Sequence, residues 1–162
     1  MNDTEFSLPE HHHDLEAHFQ RLMARCQGGD PIELRCEWTL FERELTEHLA
    51  LEEKELIPRF RRDRPAEAAE ICREHEQVRG ALADLGIALD LHALRAGAVQ
   101  EFIDLLRAHA RREEALFYPW VLEHEGDNPR WISLGRRLGD LSRGIGAAFA
   151  GAAGKSDAPR AQ

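Results

Sequence analysis

Two stretches decide how this chain folds: His48-Leu49-Ala50-Leu51-Glu52-Glu53, closed by Pro58, and His109-Ala110-Arg111-Arg112-Glu113-Glu114, closed by Pro119. Each reads HxxxEE with a proline ten residues after the histidine, so the chain carries an internal repeat. The likeness extends outward. Asp30 and Asp90, both placed to cap a helix, share nearly the same offset, and His75 with Val78, Leu82 and Leu85 aligns with His12 followed by Leu15, Phe19 and Leu22. The repeating unit is a pair of helices, and two copies predict four.

Segments rich in Leu, Ala, Glu and Arg, almost free of β-branched runs, support an all-helical chain. The first helix is predicted over 8–26, closed by Gly28-Gly29. Asp30 caps the second, with Pro31 at its first position and Glu33 completing a capping box, and the helix reaches residue 61. Asp63-Arg64-Pro65 breaks it. The third helix covers 65–89, and Asp90 caps a fourth over 91–125, stopped by Gly126. Asn128-Pro129 opens a shorter fifth helix over 129–148 that packs outside the bundle, and residues 151–162 form a frayed tail. The expected fold is all-α: one domain over 1–150, an up-down four-helix bundle with a short additional C-terminal helix.

The 162 residues are 43% hydrophobic and 31% charged, enough to bury a core. A formal charge of −9 works against binding a phosphate backbone, so no nucleic acid partner is expected. No apolar run is long enough to cross a bilayer, and the first ten residues are acidic with no basic apolar leader, so neither membrane nor secretion is expected and the cytoplasm is the predicted location. Cys26, Cys36 and Cys72 form no CxxC pair and read as reduced, small apolar packers.

The chemistry lies in the repeat. A histidine and a glutamate four apart on a helix are separated by about 40° and grip one ion together. The face they share is apolar: Phe102, Leu106, Leu116 and Trp120 fall within about 60° of His109, and Leu34, Phe41 and Leu45 within about 60° of His48. A carboxylate there costs several kcal/mol unless its charge is compensated, and a metal supplies the charge. Four imidazoles and two carboxylates exceed one tetrahedral zinc and suit two ions, with Glu52 and Glu113 bridging and His12, His48, His75 and His109 terminal. Mixed imidazole and carboxylate ligation with open positions is the habit of redox-active non-haem iron. The Glu-x-x-His pairs of carboxylate-rich di-iron bundles do not fit, since the only such pair is Glu10 to His13 at a helix start.

Around this set, the apolar register selects His12 from the run His11-His12-His13, with His13 as the substitute ligand. Tyr118, nine residues after His109, falls half a turn away and is expected off the metal. His18, His92 and His124 read as surface residues, Glu55 as the solvated edge of a helix end, and Glu53 and Glu114 as solvated or supporting groups.

With its doubled HxxxEE and the set His12, His48, Glu52, His75, His109 and Glu113, the chain resembles the hemerythrin-like, or HHE cation-binding, family over roughly residues 8–125. The resemblance implies a four-helix bundle holding two iron ions in an oxo- or hydroxo-bridged centre that meets dioxygen, nitric oxide or peroxide. It differs from the oxygen carriers of that family, which have a second histidine where this chain has Arg79 and an aspartate where it has Glu114. The four-His, two-Glu set is closer to the di-iron proteins of iron–sulfur cluster repair, which usually carry an extra cysteine-bearing domain. Three functions follow as expectations: binding or sensing of a small diatomic ligand or peroxide; cluster repair or peroxide reduction; and a metal-stabilised scaffold without redox activity. Binding or sensing is preferred to dedicated catalysis.

Overall fold

The computed structural model describes residues 8–25 and 30–125, with the backbone alone at 8–11, 25 and 125. The fifth helix expected over 129–148, the tail at 151–162, Cys26 and the stop at Gly28-Gly29 lie outside the described residues. Within them the secondary structure is entirely helical: α1 (Leu8–Arg25), α2 (Pro31–Leu51), α3 (Ile57–Asp63), α4 (Pro65–Asp90), α5 (Ala96–Arg112) and α6 (Tyr118–Glu125). A π turn at Glu52–Leu56 joins α2 to α3, and a second at Glu113–Phe117 joins α5 to α6, so the segments compose four long helices.

Local chemistry accounts for most boundaries. Asp30 has extended backbone and its carboxylate accepts from the Ile32 amide at 2.8 Å, with Pro31 starting the helix. The fourth long helix, however, begins later than predicted. Asp90 ends α4 instead of capping its successor: the amides of Leu91 and His92 bond back to the carbonyls of Ile87 and Leu89. The Asp90 carboxylate instead accepts from Arg35 at 2.7 Å. The chain then turns through His92 at φ 53°, a left-handed conformation that no α-helix starting at residue 91 can contain, and α5 opens at Ala96.

Helix α1 packs on α2 and α5, and α4 packs on the same two, which closes a ring around a common interior. Two apolar clusters fill it. The larger holds Phe19, Trp38, Phe41, Leu82 and Phe102, and the smaller holds Ile57, Phe60, Ile71, Phe117 and Val121. His48 and Glu52, His75, and His109 and Glu113 fall along their helices between the two, so the polar layer is sealed from both ends. Gly86 allows α4 close to α2, because a Cβ there would sit 3.2 Å from the Trp38 indole nitrogen. The matched triplets Leu15, Phe19, Leu22 and Val78, Leu82, Leu85 are all buried, as the repeat predicts.

The π turns change which residues face inward. In each, an amide bonds the carbonyl five residues back: Ile57 to Glu52, and Tyr118 to Glu113. Such a turn takes up one extra residue and sets everything after it back by roughly 100°. Leu116, expected in the core, is therefore 46% exposed and Trp120 only partly buried, while Phe117 and Val121 take the inner face. The same step in the first copy buries Leu56, Ile57 and Phe60 and leaves Glu55 at the edge. Of the cysteines, Cys72 packs half-buried against the smaller cluster beside Arg61, as expected, whereas Cys36 is exposed because it falls on the outer face of α2.

Candidate metal centre

The six residues singled out by the repeat come together. Ligand atoms of His12, His48, Glu52 and Glu113 lie within 4.8 Å of one another, and so do those of Glu52, His75, His109 and Glu113. Both glutamates belong to both groups. His12 Nε2 is 3.1 Å from His48 Nε2 and 3.1 Å from Glu113 Oε2, and His48 Nε2 is 3.5 Å from Glu52 Oε2. On the other side, His75 Nε2 stands 3.5 Å from Glu52 and 3.4 Å from Glu113, and His109 Nε2 stands 3.3 Å from Glu113. His12 fills the first-helix place, while His13 is exposed.

Supporting carboxylates orient two of the imidazoles. His75 Nδ1 donates to Glu53 Oε1 at 2.8 Å, and Arg79 holds both oxygens of Glu53 at 2.8 and 2.9 Å. His109 Nδ1 faces Glu74 Oε2 at 3.3 Å, and Arg112 holds Glu74 at 2.5 Å. A proton kept on Nδ1 leaves the Nε2 lone pair pointing inward at carboxylate oxygens. Such an Nε2 either meets the oxygens lone pair to lone pair, which repels unless a cation lies between, or carries a second proton and donates to the carboxylate.

The electrostatics agree. Burial, reinforced by the charge of Glu113, holds the Glu52 carboxyl well above the usual range. Burial also pushes Glu113 upward, but His109, His12 and His75 outweigh it and hold this carboxyl well below. Of the two carboxyls, Glu52 therefore holds a proton more tightly than Glu113. Burial lowers the His109 imidazole despite the opposing charge of Glu113, and burial followed by the two glutamates raises the Tyr118 phenol well above its ordinary value. Glu52 Oε2 and His109 Nε2 are buried without a hydrogen-bond partner, and no lysine or arginine reaches either glutamate among the described residues. These donors fit metal ions, which would satisfy the orphaned atoms and the surplus negative charge at once.

Two expectations fail here. Tyr118 is not across the helix from the metal residues: its hydroxyl is 2.8 Å from Glu52 Oε1, 3.0 Å from Glu113 Oε2 and 3.0 Å from His12 Nε2. The π turn, by setting the helix back one residue, turns the ring inward. The sequence signal was the proline after it. Without an amide hydrogen, Pro119, like Pro58, cannot continue the α ladder, and its ring crowds the carbonyl four residues back, so a wider turn ahead of it relieves both. His18 is likewise no surface residue, since it is 2% exposed and lies 3.3 Å from the buried Glu44, because α1 turns it toward α2. His92 and His124 are exposed as expected, the latter stacked on Trp120.

The arrangement defines a class, an all-helical domain whose interior holds a histidine–carboxylate cluster able to bind metal. The hemerythrin HHE cation binding domain family matches residues 6–125, and the chain belongs to that family. Comparison with curated proteins and with solved structures returns no match. No helix among the described residues is long and apolar enough to cross a membrane.

Proposed function

We propose that the chain is a non-haem di-iron protein that binds or senses a small oxidant, dioxygen, nitric oxide or peroxide, within an up-down four-helix bundle. The observation that carries this reading is the sharing of Glu52 and Glu113 between two groups of ligand atoms, because a carboxylate common to both is what a bridged pair of ions requires. His12 and His48 would be terminal on one ion, and His75 and His109 on the other. Iron bound there would supply reversible one-electron chemistry toward the small molecule.

The chain's own residues set what can enter. A cavity of about 220 Å³ is lined by His12, His48 and His109 together with Leu15, Leu45 and Leu106. At about 30 Å³ per water it holds a few small molecules and not a metabolite of ordinary size. Its aliphatic part suits a weakly hydrated ligand, with the charged Glu16, Arg107, Arg111 and Glu114 lining the remainder, while Glu53 with Arg79 and Glu74 with Arg112 hold the inner imidazoles in one orientation.

The test is metal content and the optical spectrum of protein purified with iron available, in the reduced form and after exposure to dioxygen. About two irons per chain, with near-ultraviolet absorption that bleaches on reduction and returns with oxygen, is the expected result. Zinc or no metal, with a featureless spectrum even after anaerobic iron loading, would replace this reading with a structural site.

A further inference from the structure

The phenolic oxygen of Tyr118 has three neighbours from the metal centre and only one proton to offer them. Glu52 Oε1, Glu113 Oε2 and His12 Nε2 surround it at 2.8–3.0 Å, and the ring is buried. A single hydrogen bond satisfies one of them, and the other two contacts need either a proton from the partner or a cation between. The spacing has another meaning. Where metal–ligand bonds measure about 2.1 Å, neighbouring ligand atoms on an octahedron stand about 3.0 Å apart. The contacts among His12, His48 and Glu113 have this length, 3.1 Å, and the three distances from Tyr118 fall on the same edge.

We propose that Tyr118 is a seventh protein ligand, its phenolate oxygen coordinating the ion held by His12, His48, Glu52 and Glu113. The inference rests on the paired-metal reading and adds what that reading lacks, a chemical difference between the two positions: one has five protein donors, the other four. On coordination the phenolic O–H bond breaks. Oxygen keeps the electron pair and donates it to the cation, and the proton leaves to solvent as the ion binds.

Tyr118 is the only tyrosine in the chain, so its spectroscopic signature needs no variant to be assigned. The experiment loads the whole chain with iron, oxidises it, counts metal per chain, and records visible absorption and resonance Raman spectra excited within the visible band. The expected result is a tyrosinate-to-iron(III) charge-transfer band with tyrosinate ring vibrations in the native chain, both lost in Tyr118→Phe at unchanged metal content. Iron bound in pairs without tyrosinate vibrations overturns the ligand assignment and leaves the paired-metal reading intact. Failure to bind metal overturns both, and the metal count tells the two failures apart.

Discussion

Position nine after the repeat histidine is Ile57 in the first copy and Tyr118 in the second. Both follow a π turn, both donate their amide to the carbonyl of the bridging-candidate glutamate, and both are buried, at 1% and 3% exposure. The backbone device is therefore duplicated while the chemistry is not. Ile57 extends an apolar cluster, whereas Tyr118 carries its hydroxyl to Glu52, Glu113 and His12. A symmetric pair of helix hairpins thus encloses a site whose two halves differ, by Tyr118 on the side of His12 and His48 and by the braces of Glu53 and Glu74 on the side of His75 and His109.

The largest effect should come from breaking what the copies share. Glu52→Ala and Glu113→Ala should each abolish paired occupancy, since each carboxylate belongs to both groups of ligand atoms. Metal analysis checks this, and full retention in Glu113→Ala would sink the bridging assignment. Next is the backbone device itself. Inserting one residue after Pro119 should rotate Val121 out of the core and cost at least about 3 kcal/mol in denaturant unfolding, whereas deleting Ala115 removes the extra residue and the set-back together and should keep Phe117 and Val121 facing inward. Deleting Lys54 should likewise keep Ile57 and Phe60 inward in the first copy, and a deletion in either copy as costly as the insertion would contradict this account of the turn.

A smaller change separates the supporting groups from the ligands. Glu53→Gln and Glu74→Gln should weaken metal affinity by about 10–100-fold while leaving paired occupancy attainable at saturating metal. Competition titration against a chelator measures it, and outright loss of the pair would make these residues ligands instead. The smallest effect concerns pH in the metal-free chain. The folded Glu52 carboxyl lies well above its unfolded value of about 4.3, so above that pH the native state binds more protons than the unfolded one. Stability should accordingly fall as pH rises toward the folded value, by up to about 1.4 kcal/mol per pH unit. Glu52→Gln should lack this fall, and so should the metal-loaded chain. Identical pH profiles for the metal-free native chain and Glu52→Gln would contradict it.

The site was legible to the extent that it is periodic. His12, His48, His75 and His109 repeat in register with buried apolar residues, so an α-helical period of about 3.6 brings them inward together. That argument works within a turn or two of each histidine and fails past the π turns. Leu116 and Trp120 were assigned to the core and Tyr118 to the outside by carrying the α period through Glu113–Phe117, where the helix takes up one residue more. His18 was missed for a different reason: it has no partner within the repeat, and only the packing of α1 on α2 supplies Glu44. Asp90 misled because a residue suited to capping is equally at home ending a helix, and the choice fell to bonds made by Leu91 and His92.

Local propensity and spacing along one helix were enough to read the helical class, the pairing of helices and the six candidate donors from the chain. Packing of the helices was needed to assemble those donors into two groups sharing Glu52 and Glu113, to place the clamps of Glu53 and Glu74 on His75 and His109, and to turn Tyr118 inward. The first kind of information is carried by neighbours in the chain. The second depends on how far each helix is rotated about its axis when it meets the others, and one extra residue in a turn is enough to change it.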